Sequence, residues 1–189
     1  IFVLTPVFYI GICNMTNWIW AQNAVGKHQL VLFRKKFNIS ELKAYNFRIS
    51  AEANFTAFID GKEFLRGQYS DYPEAKTFTE TELNLTVGQH IITIEVYYAG
   101  EDFQTSWYSE QPGLWCELES VFASDENWKA KLSPAFLRDN IHKVTPQLGY
   151  AIGFDARMQE DFHSENFDDS HCKRKGIARV LLRCTEIYG

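Results

Sequence analysis

Short segments in which apolar and polar residues alternate recur along most of this 189-residue chain. A period of two places successive side chains on opposite faces of a strand, so each segment predicts a half-buried β-strand. Turn residues separate the segments, which span residues 28–39, 45–53, 54–67, 81–100, 113–123 and 177–188. Helical signals are limited to one turn near residue 133 and a short piece within 158–176. The pattern predicts an all-β, antiparallel sandwich of two sheets, with a jelly roll as its expected form.

The clearest turn lies in the sequence FIDGKEFLRGQYSDYP, residues 58–73. Asp60-Gly61 is a residue pair that type I′ turns prefer, and alternating strands flank it. We therefore expect a β-hairpin over 54–67. The polar and aromatic tail RGQYSDYP is then the loop that leaves the hairpin.

The segment 28–39 combines alternation with an interruption. Leu30, Leu32 and Arg34 fall on one face, and Val31, Phe33 and Lys35 fall on the other. Phe37 and Ile39 rejoin the apolar set only after three charged residues in succession. This arrangement predicts a β-bulge near residues 34–36.

Charge restricts the classes of partner. The formal net charge is −5, and the longest basic cluster is the short run Lys173-Arg174-Lys175. Proteins that track a phosphate backbone need extended cationic surface, so nucleic acid is not an expected partner. An anionic membrane is disfavoured for the same reason.

The cysteines and the N-terminal residues bear on location and organisation. No C-x-x-C pair occurs, so we expect free buried thiols and favour a cytoplasmic over a secreted protein; the cysteines are Cys13, Cys116, Cys172 and Cys184. The first residues are apolar, but they lack a basic start and a small-residue cleavage site. We expect residues 1–16 to form an extended arm or edge strand. Residues 17–189 then form the sandwich, with a polar loop at 158–176 and a C-terminal strand.

A series of motifs occurs in a fixed order: NWIW (17–20), LFRKKF (32–37), RISAEA (48–53), FIDGKEFLRGQYSDYP (58–73), TVGQHIITIEVYYAG (86–100), SDENWKAKLSPAF (124–136) and GYAIGFDAR (149–157). In this order the chain resembles the N-terminal β-sandwich region of bacterial α-L-rhamnosidases and related glycoside hydrolases. Two positions depart from that pattern. Asp60 stands where the family usually has Asn, and Ile152 stands where it often has an acidic residue.

The resemblance implies a fold of the galactose-binding type and a non-catalytic role for this chain alone. In that family the hydrolytic carboxylates belong to a helical (α/α) barrel C-terminal to the sandwiches. Some of these sandwiches bind rhamnose-like sugars with the help of calcium, and others brace the barrel. No Asp-Asn pair here matches a calcium site, so no cofactor is assigned and calcium remains an alternative.

Seven residues are the candidates for contact with a sugar. Aromatic faces stack on sugar C–H groups, while polar side chains bond to the hydroxyls. Such side chains occur in the loop after the hairpin and in the loop at 100–113; they are Arg66, Gln68, Asp71, Tyr72, Glu101, Trp107 and Tyr108. We expect the other tryptophans, Trp18, Trp20, Trp115 and Trp128, to pack in or against the sheets.

Other polar residues have a simpler interpretation. His163, His171 and Cys172, with Asp168 and Asp169, offer metal-ligand types, but their spacing fits no standard zinc pattern and favours a solvated loop. His28, His90 and His142 are isolated in sequence and are expected to be ordinary strand or loop histidines. Asp155 and Arg157 are expected to form an ion pair that joins their strand to a neighbouring loop.

Two functions from different classes remain open at this point. The chain is either a carbohydrate-binding module for a rhamnose-like sugar or a structural module whose partner is the catalytic barrel of the same enzyme. A binding module should gather aromatic and polar side chains in one concavity. A bracing module should instead expose a broad apolar patch.

Overall fold

The computed structural model describes residues 8–9, 18–67, 76–101, 111–139, 141–170 and 172. Within these ranges the regular structure is β-strand apart from one 3-10 helix, and no helix is long and apolar enough to cross a bilayer. The predicted C-terminal strand at 177–188, the basic cluster at 173–175 and nearly all of the predicted arm at 1–16 lie outside the described residues.

Ten strands form two five-stranded antiparallel sheets. They are β1 Phe8–Tyr9, β2 Gln29–Ile39, β3 Ala44–Glu52, β4 Asn54–Ile59, β5 Lys62–Gly67, β6 Phe78–Asn84, β7 Gly88–Tyr98, β8 Gly113–Leu118, β9 Phe122–Ala123 and β10 Lys129–Leu132. The first sheet has the order β1-β6-β3-β8-β9, and the second has the order β10-β2-β7-β4-β5. This confirms the prediction of an all-β sandwich of two antiparallel sheets.

A smaller region follows β10. It contains two two-stranded sheets, formed by β11 Phe136–Leu137 with β14 Gly153–Phe154 and by β12 Lys143–Thr145 with β13 Gly149–Tyr150. The 3-10 helix, Ala156–Met158, comes next. The helical turn expected near residue 133 is wrong, because residues 134–135 form a non-helical turn before β11.

The core lies between the two large sheets. Alternate residues of the long strands β2, β3 and β7 point inward, as the period of two predicts. The buried set includes Val31, Phe33, Phe47, Ile49, Phe55, Ala57, Ile92, Ile94, Val96, Leu114, Cys116 and Leu118. Trp18, Trp20, Trp115 and Trp128 are also buried, which agrees with a packing role for these rings.

The prediction of a β-bulge in β2 is wrong. The register between β2 and β7 runs without a break from Gln29 opposite Tyr98 to Ile39 opposite Gly88. Lys35 keeps its inward position because its aliphatic stem packs inside while its Nζ lies 2.9 Å from Asp125 Oδ1. Charged residues within a strand therefore did not require an extra residue here.

The hairpin is confirmed. Asp60 has φ 49° and Gly61 has φ 75°, as a type I′ turn requires at its two central positions. Glycine enters this region of φ without steric cost, and Asp is among the residues that tolerate it. The turn joins β4 to β5, whose register shifts by one residue between Ala57 and Phe58.

The loop after the 3-10 helix covers the outer face of the second sheet. Phe162 and Cys172 pack with Leu32 in a second apolar cluster, and Arg34 is fully buried beneath the loop. The expectation of a solvated loop is therefore wrong for the side of the loop that faces β2. The polar residues that alternate with these anchors, such as Glu165, are exposed.

The pair Asp155 and Arg157 is local. Asp155 caps the 3-10 helix by accepting a hydrogen bond from the Arg157 backbone N–H, and the two side chains are also paired, with Arg157 Nη2 2.7 Å from Asp155 Oδ2. The pairing with Arg157 therefore stays inside one turn, and the expectation that it joins the strand to another loop is wrong.

Candidate functional site

The sheet topology brings two of the sequence candidates, Arg66 and Glu101, to one end of the sandwich. In the second sheet Gln29 lies opposite Tyr98, Asn54 opposite Tyr97, and Phe55 opposite Gly67. The start of β2 and the ends of β5 and β7 therefore share one edge, which we call the loop end. Arg66 and Glu101 are described there. The other five candidates, Gln68, Asp71, Tyr72, Trp107 and Tyr108, lie outside the described residues.

Arg66 is exposed on β5 and already has a partner. Its Nε and Nη2 donate to the Glu63 carboxylate at 2.8 and 2.6 Å. This contact lowers the pKa of Glu63 and raises the pKa of Arg66. A ligand that recruited Arg66 would have to compete with Glu63, although full exposure to water keeps that competition mild.

Glu101 organises a group of side chains at the loop end. Its carboxylate accepts hydrogen bonds from Lys27 Nζ, from His28 Nε2 at 3.0 Å and from the Tyr150 side chain. The contact with Lys27 is the largest cause that lowers the pKa of Glu101, and Tyr150 and His28 add to it against partial burial. We call Lys27, His28, Tyr97, Glu101 and Tyr150 the Glu101 cluster.

The backbone explains why these side chains meet. Gly100 has φ 70°, and a Cβ at this position would lie 3.0 Å from Lys27 Cα. Only glycine satisfies both the left-handed conformation and the close approach. The His28 N–H donates to the Ala99 carbonyl at 3.0 Å, which holds the two chain segments together.

Aromatic rings form the other part of the Glu101 cluster. The Tyr97 hydroxyl lies 3.0 Å from His28 Nδ1, and the Tyr150 ring meets the His28 ring edge-on at 4.7 Å. Burial raises the pKa of Tyr97 to about 12, so this hydroxyl stays protonated and can donate to His28. The half-buried Tyr150, whose ring centroid lies 5.6 Å from Lys143 Nζ, stands beside ordered donors and a carboxylate, and these are the kinds of group that saccharide recognition uses.

A cleft lies at the opposite end of the second sheet, next to the hairpin turn. Its volume is about 710 Å³, and it is lined by Asp60, Gly61, Thr86, Gln89, His90, Ile91, Asp161, His163, Ser164 and Glu165. Of the sequence candidates that the structure describes, neither Arg66 nor Glu101 lines it. The volume falls within the range of small-molecule sites in proteins.

One arrangement in the cleft wall resembles a nucleophile, base and orienting acid. His163 Nδ1 lies 2.6 Å from Thr93 Oγ1, and His163 Nε2 lies 3.1 Å from Glu95 Oε1. Thr93 is only 1% exposed, so its hydroxyl cannot reach a substrate. The three residues therefore fix the loop on the strand. Within the described ranges, no three His, Cys, Asp or Glu side chains are placed to hold a metal ion.

Solved structures share this fold. A GH78 family rhamnosidase of Bacillus sp. GL1 matches with a TM-score of 0.75 and 21% identity over 87% of this chain and 18% of that chain. A Streptomyces avermitilis α-L-rhamnosidase complexed with L-rhamnose matches with a TM-score of 0.57 and 17% identity over 87% and 14%. The Pleurotus ostreatus lectin matches with a TM-score of 0.55 and 18% identity over 94% and 44%.

These matches establish the fold and show that the chain corresponds to only part of each matched protein. No protein-family model matches the chain, and no curated protein matches its sequence. The chain spans less than half the length of the lectin and less than a fifth of either rhamnosidase. It therefore has the architecture of one domain of the rhamnosidases, as the resemblance in sequence motifs suggests.

Sequence reasoning found one member of the Glu101 cluster and missed four. His28 was expected to be isolated, and Lys27, Tyr97 and Tyr150 were not candidates. The pairing of Gln29 with Tyr98 would have placed His28, Tyr97 and Glu101 together, but it requires the strand order. Tyr150 comes from β13, about fifty residues later in the chain, and nothing in its local sequence indicates this contact.

Proposed function

We propose that this chain is a non-catalytic, carbohydrate-binding-like accessory domain of an α-L-rhamnosidase-like glycoside hydrolase that acts on rhamnose-containing glycans. The observation that carries the proposal is the Glu101 cluster, an ordered set of aromatic and charged groups at the loop end of a sandwich. The fold shared with rhamnosidase domains and with a lectin supports it.

The chemistry of the cluster suits a hydroxylated ligand. Glu101 accepts hydrogen bonds from sugar hydroxyls and Lys27 donates to them, while Tyr150 offers a surface for the C–H face of the ring. In this proposal the site is completed by Arg66 near the end of β5 and by Gln68, Asp71, Tyr72, Trp107 and Tyr108 from the neighbouring segments of the chain. The main role of Glu101 is then to position the Lys27 and Tyr150 side chains by accepting hydrogen bonds from them.

The test is a titration of the 189-residue chain with L-rhamnose, with and without calcium, followed by NMR. We expect weak binding, with Kd on the order of millimolar, about −4 kcal/mol. Glu101→Gln and Trp107→Ala should each weaken it several-fold. Glu119→Gln makes the same chemical change as Glu101→Gln on the first sheet and should leave the affinity unchanged.

Three results would contradict the proposal. Absence of binding to any rhamnose-containing saccharide would remove the carbohydrate-binding role. Unchanged affinity after Trp107→Ala would exclude that residue from the site. Hydrolysis of an aryl rhamnoside by the purified chain would show that it is catalytic.

A second candidate function is that of a structural module that packs against the catalytic barrel. Six of the nine exposed large hydrophobic residues in the described ranges lie within 137–158; they are Leu137, Val144, Leu148, Ile152, Phe154 and Met158. Exposed apolar residues concentrated in one region are typical of an interaction surface. In the full-length enzyme, Leu148→Glu with Ile152→Glu should then increase proteolysis between the domains, whereas Val25→Glu should not.

A further inference from the structure

The cleft beside the hairpin turn has two walls that are held by different chemistry. The turn-side wall is formed by Asp60, Gly61 and the first residues of β7, including His90. The loop-side wall is formed by residues 161–165. The two walls come close at Gly61, where a Cβ would lie 3.6 Å from the His163 carbonyl oxygen.

On the turn-side wall, His90 lies between two hydrogen-bond acceptors. Its Nδ1 is 2.7 Å from Asp60 Oδ2, and its Nε2 is 2.7 Å from the Thr86 carbonyl oxygen and 3.5 Å from the Thr86 hydroxyl oxygen. Neither a carboxylate nor a carbonyl oxygen can donate, so only a ring that carries a proton on both nitrogens satisfies both of the 2.7 Å contacts. The geometry therefore selects the imidazolium form of His90.

Asp60 connects the state of His90 to the turn. Its other oxygen, Oδ1, accepts a hydrogen bond from the Ile91 N–H at 2.9 Å, and its own N–H donates to the Ile91 carbonyl at 2.9 Å. His90 is 8% exposed and stacks on Phe37 at 5.7 Å, so water cannot readily replace Asp60 as its partner. A neutral His90 ring that keeps its bond to Thr86 would direct a lone pair at the Asp60 carboxylate.

The loop-side wall depends on a group that does not titrate at these pH values. Arg34 Nη1 donates to the Phe162 carbonyl at 2.8 Å, and Arg34 Nη2 donates to the Ser164 carbonyl at 2.9 Å. The other titratable groups of this wall are His163, held by Thr93 and Glu95, and the carboxyl groups of Asp161 and Glu165. A guanidinium keeps its charge throughout the physiological range.

We infer that the Asp60–His90 pair makes the turn-side wall of the cleft sensitive to pH, while Arg34 keeps the loop-side wall in place. When His90 loses its proton, it can no longer donate to both Asp60 and the Thr86 carbonyl, so the turn-side wall loses one of these hydrogen bonds and loosens, while the loop-side wall stays in place. The device is independent of the saccharide site proposed at the loop end.

The direction of the pH effect follows from the balance at His90. Burial alone would lower the pKa of His90, but the hydrogen bonds to Asp60 and to the Thr86 carbonyl outweigh it and raise this pKa above 6.5. A raised pKa in the folded state means that the stabilisation is fully present below about pH 6.5, the usual value in unfolded chains. It is lost as the pH rises through the folded-state pKa.

The experiment is an NMR titration of the 189-residue chain between pH 5 and 9. The His90 ring signals report its protonation, and amide hydrogen exchange, corrected for intrinsic rates, reports each wall. Ile91 reports the turn side, and Ser164, whose N–H donates to the Asp161 carbonyl, reports the loop side. We expect a His90 midpoint above 6.5, with Ile91 protection falling about tenfold across it and Ser164 protection unchanged.

Two variants test whether the pH effect comes from the Asp60–His90 pair or from neighbouring groups. Asp60→Asn, which can donate to a neutral ring, should lower the His90 midpoint by about one pH unit and abolish the step in Ile91 protection. His163→Gln should change neither the His90 midpoint nor the step in Ile91 protection. A midpoint at or below 6.5 in the unmodified chain, or a step that persists in Asp60→Asn, would overturn the inference; the first of these needs no variant to fold.

Discussion

Strands β2 and β7 bury both of their faces, and the two faces differ in what covers them. On the inner face, Val31, Phe33 and Ile94 meet the apolar side of the first sheet. On the outer face, Leu32 packs with Phe162, and Arg34 is buried under the loop that follows the 3-10 helix. The inner face depends on apolar area, whereas the outer face depends largely on a cation that donates to backbone carbonyls.

Alternation of apolar and polar residues identifies the inner face of a strand but does not show that the other face is exposed. Arg34 is 0% exposed, and burial lowers its pKa despite the nearby Asp169. Its guanidinium replaces lost water with the carbonyl oxygens of Phe162, Ser164 and Glu165. A buried charge is tolerated only when such partners are supplied.

The largest expected effect comes from removing that cation. Arg34→Met keeps much of the volume but leaves the carbonyl oxygens of the loop without their donor. Loss of one partner from a buried charged network costs about 3 kcal/mol or more. We expect a reduction of that size in the free energy of unfolding, measured by urea denaturation.

Arg48→Met is the matched control for Arg34→Met. Arg48 pairs with Glu80 and Glu117 on the outer face of the first sheet, where its side chain is 39% exposed. Water screens this network, so the loss should stay below about 1 kcal/mol. Equal losses in the two variants would mean that the buried contacts of Arg34 add nothing beyond surface charge pairing.

Most of the inner face could be predicted from the sequence. The alternation of Phe47, Ile49 and Ala51 in β3 and the turn signal at Asp60-Gly61 depend on local periodicity and backbone preference, which a single segment contains. The prediction of a bulge in β2 was wrong because it depended on more than local sequence. Lys35 occupies an inward position and reaches Asp125 about ninety residues later, a contact that no local pattern encodes.

The outer face and the candidate site could be predicted much less well. Arg34 bonds to backbone carbonyls, which every residue has, so no residue type marks its partners. The Glu101 cluster likewise joins segments at residues 27–28, 97–101 and 150 through strand order and a glycine contact. Single residues such as Glu101 can be proposed from loop composition, but their neighbours require the topology.

Thiol labelling gives an intermediate test of the same two faces. Cys116 is buried on the inner face and Cys172 in the outer cluster, and burial raises the pKa of both thiols. We expect Cys172 to react with a disulfide reagent at least tenfold faster in native conditions, which an opening easier by about 1.4 kcal/mol would produce.

The labelling is best measured in a background with Cys13→Ser and Cys184→Ser, so that two thiols remain. Arg34→Met should further increase the labelling rate of Cys172. It should change the labelling rate of Cys116 only to the extent that global stability falls. If both thiols react at one common rate in the unmodified background, the outer cluster does not open separately and the two faces form a single cooperative unit.

The smallest expected effect concerns the Glu101 cluster, which lies at the loop end and includes Tyr97 from the outer face of β7. The lowered pKa of Glu101 means that its contribution to stability is present above about pH 4.5, the usual value for Glu, and is lost as the pH falls through the folded-state pKa. Glu101→Gln should therefore reduce the free energy of unfolding by less than about 1 kcal/mol at pH 7, because the carboxylate is partly screened by water.

Urea denaturation at pH 7 and near pH 3 checks this prediction. The difference between Glu101→Gln and the unmodified chain should shrink at the lower pH, where the carboxyl group of Glu101 is protonated in the unfolded state and its charged contacts contribute less to stability. Glu119→Gln should show a smaller difference at pH 7, because the Glu119 carboxylate accepts a hydrogen bond from Asn46 that the amide oxygen of Gln can also accept. A deficit in Glu101→Gln that stays constant with pH would mean that the cluster is held by packing around Tyr97 and Tyr150, since packing does not titrate, rather than by the charge of Glu101.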